Sequence, residues 1–97
     1  MVVGVCRVVL HLPENQSLKA KRQAVKSVLG RVRHRFEVSA AEIEDHDQWQ
    51  VATLGFGCVG NDARLLNSIL SKVVDFIERD RPELPLLDYQ IEVLHAL

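Results

Sequence analysis

The chain contains 97 residues, of which 47% are hydrophobic and 5% aromatic, and its formal net charge is −1. This length fits one domain over residues 1–97 and excludes a complete dinucleotide-binding fold, while the hydrophobic fraction excludes a disordered chain. The near-zero total charge, taken alone, gives no reason to expect an acidic partner.

The first part of the chain predicts a strand followed by a helix. Residues 2–12 are rich in valine, which favours a strand, and residues 13–16 predict a loop. Ser17 can cap a helix because its hydroxyl oxygen can accept from a free amide of the first turn. Apolar residues then recur at helical spacing and predict a helix over residues 18–36.

The second part predicts a hairpin, a helix and a final strand. Residues 37–44 and 49–59 have the pattern of two strands joined by a polar turn. Asn61 can cap a second helix, which Pro82 would end. Residues 89–96 predict the last strand.

The resulting order, βαββαβ, predicts an α+β fold of the ferredoxin-like type. Two βαβ halves joined by a hairpin give a four-stranded antiparallel sheet with two helices on one face. Right-handed crossovers place the first and third strands at the centre of the sheet.

The sheet face opposite the helices is predicted to be apolar and open. Because such a face is unfavourable in water, we expect a homodimer through the open sheet face, with a ligand or nucleic-acid surface as the alternative. The residues assigned to this interface are Val3, Val5, Arg7, Val9, Glu42, Trp49 and Val51. Glu42 is expected to pair with Arg7, across the sheet or across the dimer interface.

The first predicted helix is strongly basic. From Ser17 to Phe36 the chain has seven Lys or Arg residues and no acid, whereas the rest has five basic and thirteen acidic residues. A row of cations on a helix can neutralise the phosphates of a nucleic acid, and the free amides at the helix start can bind a phosphate. The predicted phosphate-binding residues are Ser17, Lys19, Lys21, Arg22, Lys26 and Arg33. This pattern favours a non-enzymatic RNA- or ribosome-associated protein.

Three alternatives remain open for the basic helix. Its cations could pair with nearby acids, of which residues 42–47 are the main group, or could bind an acidic protein partner. A small-molecule enzyme or sensor would instead hold a phosphorylated ligand at Ser17, Lys19 and Arg22, with Glu42 as acid or base.

No set of residues predicts a catalytic centre, a metal site or a cofactor. Residues 55–60 match the glycine pattern GxGxxG, but these glycines alternate as in a strand, and the chain lacks the other parts of a dinucleotide fold. Cys6 and Cys58 are interpreted as buried free thiols. The apolar start of the chain is too short for a membrane span and has no signal-peptide pattern, so we expect a cytoplasmic protein.

Short segments over most of residues 1–80 share a pattern with a known family. They are S-L-K-A-K-R at 17–22, R-H-R-F-E-V-S at 33–39, A-E-I-E at 41–44, D-Q-W-Q at 47–50, A-T-L-G at 52–55, Cys58-Val59 and Asn61-Asp62. In these segments the chain resembles the YlxP-like family of small bacterial proteins. The resemblance implies a ferredoxin-like fold and no established activity. Genes of family members often lie beside genes for translation initiation and ribosome maturation, which implies contact with RNA or the ribosome.

Overall fold

A computed structural model, which describes residues 1–13 and 17–97, has the predicted element order. The strands are β1 (Val2–His11), β2 (Ser39–Glu44), β3 (Val51–Gly60) and β4 (Leu86–His95), and the helices are α1 (Leu18–Arg35) and α2 (Ala63–Asp80). The antiparallel sheet has the order β2-β3-β1-β4, so β1 and β3 are central. The fold is therefore ferredoxin-like, as predicted. Residues 14–16 of the predicted first loop lie outside the described residues.

The two helices begin at side-chain caps. Ser17 caps α1, and its hydroxyl oxygen accepts from the amide of Ala20 at 3.2 Å. For α2 the predicted cap at Asn61 is wrong by one residue. Asp62 is the cap, because its carboxylate accepts from the amides of Arg64 and Leu65 at 3.0 and 3.3 Å.

Most boundary errors lie at strand ends. β4 begins at Leu86, three residues before the predicted start. The start was missed because the pairing of β4 with β1 is irregular between Val9 and Leu10, which interrupts the regular alternation of side chains. β2 and β3 each begin two residues later than predicted.

The core lies between the helices and one face of the sheet. In β1 the even-numbered side chains are buried and the odd-numbered ones are more exposed, which confirms the predicted alternation. Gly4 allows α2 to approach β1, because a Cβ added there would lie 2.9 Å from Leu70 Cδ1. Both cysteines are free, with Cys6 buried and Cys58 only half-buried. Neither helix of the described chain is long and apolar enough to span a membrane.

Candidate functional site

Four cations, which we call the basic stripe, are exposed on one flank of α1. They are Lys19, Arg22, Lys26 and Arg33. At the angular step of a helix they fall within an arc of about 60°, and they span roughly 21 Å along the axis. Arg33 donates to the carbonyl oxygen of Ala40, so the stripe lies on the flank next to edge strand β2. Within the described chain, none of the four forms an ion pair.

Lys21 does not belong to this surface, and its assignment as a phosphate-binding residue is wrong. Its side chain is 0% exposed. The ammonium group donates to the carbonyl oxygens of Asp45 and Gln48 and lies 3.0 Å from Glu42 Oε2. Lys21 therefore ties the start of α1 to the turn between β2 and β3 and is not available to a ligand.

Glu42 faces the helices, so its assignment to the open face beside Arg7 is also wrong. Glu42 pairs with Leu54 in the sheet, and paired residues of antiparallel strands share a face. Leu54 is fully buried against the helices, which places Glu42 on the same side. Glu42 Oε2 is buried and has no hydrogen bond, so its contact with Lys21 is an ion pair.

The acidic group at residues 42–47 neutralises little of the positive charge of α1. Of the seven cations of α1, Lys21 pairs with Glu42 and Arg31 pairs with Asp80 in α2, and no other ion pair of α1 occurs within the described chain. Asp45 instead accepts from the Thr53 hydroxyl at 2.6 Å. The alternative that the cations of α1 pair with acids of the same chain therefore holds for two of the seven cations, Lys21 and Arg31.

The flank of α1 that faces α2 forms a second basic surface. Arg31 donates to both carboxylate oxygens of Asp80, at 2.7 and 2.6 Å, and this contact raises the pKa of Arg31. The Arg35 guanidinium lies over the ring of Phe76, 5.2 Å from its centroid. A groove of about 870 Å³, which we call the α1/α2 groove, runs between these contacts. It is lined by Gln23, Lys26, Ser27, Gly30, Arg31, His34, Arg35 and Phe76. These cations are evident in the sequence, but the groove was not predicted, because its second wall comes from α2.

Ser17 lies at the helix start as predicted, but its hydroxyl oxygen is used within the chain. The oxygen accepts from Ala20 and satisfies one of the free amides that the phosphate-binding prediction relied on. Lys19 and Arg22 are the exposed cations nearest to this end. Chemistry at the helix start therefore depends on these two side chains more than on the serine.

The open face of the sheet carries most of the predicted interface residues. Val5 is 38% exposed, and Val3 and Val9 are half-buried beside it. Arg7 is exposed and donates to Gln90 at 3.3 Å. Val51, half-buried, begins β3 on this face, whereas Trp49, 38% exposed, lies just before that strand.

A shallow concavity of about 490 Å³ occupies the middle of this face, around Gly55 and Gly57. A Cβ at Gly55 would lie 2.8 Å from Ile43 Cγ2, so the missing side chain lets Ile43 lie across the sheet. Both glycines and Gly60 lie within β3 and not in a loop before a helix. The GxGxxG match is therefore a feature of the sheet.

Comparison with known proteins assigns the chain to a family. Residues 3–91 match a family model described as Protein of unknown function (DUF503). The chain belongs to this family. The expected resemblance to the YlxP-like family is confirmed, because Uncharacterized protein YlxP of Bacillus subtilis (strain 168) is 37% identical over 62 residues, covering 64% of this chain and 67% of that protein.

Two solved structures that resemble this DUF503 chain are designed proteins. The de novo designed protein LFR1 1 with ferredoxin fold has a TM-score of 0.54 at 15% identity, covering 100% of this chain and 88% of its own. The de novo designed protein Ferredog-Diesel has a TM-score of 0.49 at 13% identity, covering 95% and 84%. The likeness to LFR1 1 shows the fold alone.

Three of the segments that carried the family resemblance meet at the buried ion pair. Lys21 comes from residues 17–22, Glu42 from 41–44, and the acceptor carbonyl of Gln48 from 47–50. In this DUF503 chain the three segments therefore form one structural contact, and the exposed cations of α1 lie outside it.

Proposed function

We propose that this protein is a non-enzymatic, cytoplasmic RNA- or ribosome-associated accessory protein that binds phosphates through the basic stripe of α1. The observation that carries the proposal is the stripe itself, four exposed cations on one flank with no ion pair in the described chain. The gene neighbourhood implied by the family resemblance supports the same class of partner.

The arrangement favours backbone phosphates over the identity of the bases. Cations that follow a helix for roughly 21 Å can contact successive phosphates and release their counterions, which makes the affinity depend steeply on salt. Contacts with phosphates position a protein on a nucleic acid but do not read its sequence. We therefore expect binding to structured RNA with little sequence preference.

The test compares two double variants that remove the same charge. Lys19→Ala/Arg22→Ala shortens the basic stripe, and Arg64→Ala/Lys72→Ala removes two exposed cations from α2. Affinity for a fluorescently labelled hairpin RNA is measured by anisotropy between about 50 and 200 mM salt. The stripe variant should lower the slope of log K against log salt by about 1.4 to 1.8, the value for two phosphate contacts, and the α2 variant should leave it unchanged.

A competitor distinguishes RNA from an acidic protein partner. Excess poly-glutamate, which offers carboxylates without phosphates, should not displace the hairpin RNA. Equal slopes for the two variants, no binding of RNA at low salt, or displacement by poly-glutamate would each contradict the proposal.

We also propose that a second copy of this chain covers the open face of the sheet. Val5 and Leu94 are exposed there. Arg7 and Glu92 are exposed on the same face, and neither forms an ion pair in the described chain. A twofold axis through the face can bring Arg7 of each copy to Glu92 of the other, because such an interface is self-complementary.

The size of the face is consistent with a dimer. At the usual spacing of strands and residues, three ten-residue strands and one six-residue strand cover roughly 600 Å². This is near the lower limit of about 600 Å² per partner for a stable interface.

Charge exchange at the face tests the dimer. Arg7→Glu and Glu92→Arg should each shift sedimentation equilibrium toward the monomer, because each places like charges together. The double variant should restore the dimer. A monomeric wild-type protein, or single variants that dimerise normally, would contradict this proposal.

A further inference from the structure

Within the described chain, no packing contact requires a glycine at position 30. It lies in the middle of α1, is exposed, and a Cβ added to it would meet no atom within 4 Å. Gly4 and Gly55 differ, because a Cβ at either would come within 3 Å of a side chain. Glycine in an exposed helix interior is destabilising relative to alanine. Because Gly30 weakens the helix and relieves no clash within the described chain, we infer that it makes room for a binding partner.

The surroundings of Gly30 show the charge of such a contact. Gly30 lies in the α1/α2 groove, and Lys26 and His34, one turn before and one turn after it, line the same groove. None of the residues that line the groove is acidic. A group that reaches the backbone at Gly30 therefore meets lining side chains that are positive or neutral, with the charge of Arg31 offset by Asp80.

The walls of the groove are held in place by other contacts. Arg31 is fixed by its two hydrogen bonds to Asp80, and Arg35 is fixed over the ring of Phe76. Ser27, on the α1 side of the groove, accepts a hydrogen bond from Arg81, which follows the end of α2. Oriented side chains lose less conformational freedom on binding, which favours a ligand with fixed geometry.

The groove is continuous with the basic stripe. Lys26 belongs to both, because it lies between the flank next to β2 and the flank next to α2. A strand of RNA that leaves the stripe at Lys26 can therefore enter the groove, where the missing side chain of Gly30 allows the closest approach to the helix.

We propose that the α1/α2 groove is the point at which the sugar-phosphate backbone of an RNA strand lies against α1, with Gly30 keeping the groove floor clear and Lys26 and His34 on either side. The inference rests on the proposed RNA binding and adds the place and mode of contact. A phosphodiester fits because it is anionic and accepts several hydrogen bonds, and because charge-assisted contacts with cations are strong.

Substitution of Gly30 separates this role from a structural one. Gly30→Ala and Gly30→Gln should both raise Tm, by about 3 to 8 °C, because both residues are better helix formers than glycine. The longer glutamine side chain fills the groove, so Gly30→Gln should weaken binding of the hairpin RNA about tenfold, and Gly30→Ala should weaken it less.

Asn67→Ala provides a matched control. Asn67 is exposed on α2 away from the groove, and alanine is the better helix former. This variant should also raise Tm but leave RNA binding unchanged. The control shows whether a more stable helix alone alters affinity.

The outcomes distinguish this inference from the proposed function. If the wild-type protein binds the hairpin RNA and Lys19→Ala/Arg22→Ala weakens binding, while Gly30→Gln binds as tightly as wild type, the groove contact is wrong and the basic stripe stands. If the wild-type protein does not bind, both fail. Weaker binding by a Gly30→Gln variant with raised Tm supports the groove, because loss of fold cannot explain it.

Discussion

Lys21 provides the most demanding test of the conclusion that one cation of α1 stabilises the fold while the exposed cations are free to bind a ligand. The side chain is completely buried, and the ammonium lies 3.0 Å from Glu42 Oε2. We predict that Lys21→Met destabilises the protein by about 3 to 5 kcal/mol, because it leaves the carboxylate of Glu42, 15% exposed, without its counter-charge. For a domain of this size, that change lowers Tm by about 12 to 40 °C.

Removal of both charges should destabilise the protein much less than removal of one. Replacement of a buried ion pair by apolar residues is often close to neutral, so Lys21→Met/Glu42→Leu should recover the stability lost through the unpaired carboxylate, while the two hydrogen bonds from Lys21 to the turn stay lost. Urea denaturation at 25 °C of the wild type, both single variants and the double variant gives the coupling free energy. A Lys21→Met variant within about 1 kcal/mol of wild type, or a double variant that shows only the sum of the single effects, would refute the buried ion pair.

The same variants separate stability from binding. Where Lys21→Met remains folded, its affinity for RNA should have the wild-type salt dependence, because Lys21 does not reach the surface. Conversely, Lys19→Ala/Arg22→Ala should change the free energy of unfolding by less than about 0.5 kcal/mol for each exposed residue.

Three further predictions concern the fold and use the same urea titration. Burial raises the pKa of Cys6 to about 11, so folding favours the neutral thiol, and stability should fall by about 2 kcal/mol as pH rises from 9 to 11. Cys6→Ala should remove this part of the slope, and an unchanged slope would contradict it. Gly4→Ala should destabilise by about 1 to 3 kcal/mol, because its Cβ would lie 2.9 Å from the buried Leu70 side chain, and wild-type stability would show that α2 can move away. Asp62→Ala should destabilise by about 1 kcal/mol through loss of the helix cap, whereas no change would place the cap elsewhere.

The fold was predictable from the sequence because side-chain alternation and helical spacing are local signals. In β1 the buried and exposed residues follow the alternation of Cys6, Arg7 and Val8 without interruption. In β2 the same signal failed, because both sets of alternating residues mix polar and apolar side chains. The face of Glu42 is decided by its pairing with Leu54, which only the folded sheet determines.

The site was predictable in part. The cations of the basic stripe were identified from their charge and their helical spacing, and the structure leaves all four exposed. The burial of Lys21 had a sequence signal that was not used, since Lys21 precedes Val25 and Val28 at helical spacing and so lies on the apolar stripe of α1. The partner of Lys21, Glu42, comes from β2, and one wall of the groove beside Gly30 comes from α2. Because each feature joins segments that are distant in the sequence, neither could be predicted from a single segment.

The proposed function depends on the binding of RNA phosphates by the basic stripe of α1. The salt dependence of hairpin RNA affinity tests it most directly, because the slope counts phosphate contacts. We predict that Lys19→Ala/Arg22→Ala lowers this slope by about 1.4 to 1.8, while Arg64→Ala/Lys72→Ala leaves it at the wild-type value. Equal slopes for the two variants would contradict it, because the charge of α1 would then matter no more than the same charge elsewhere.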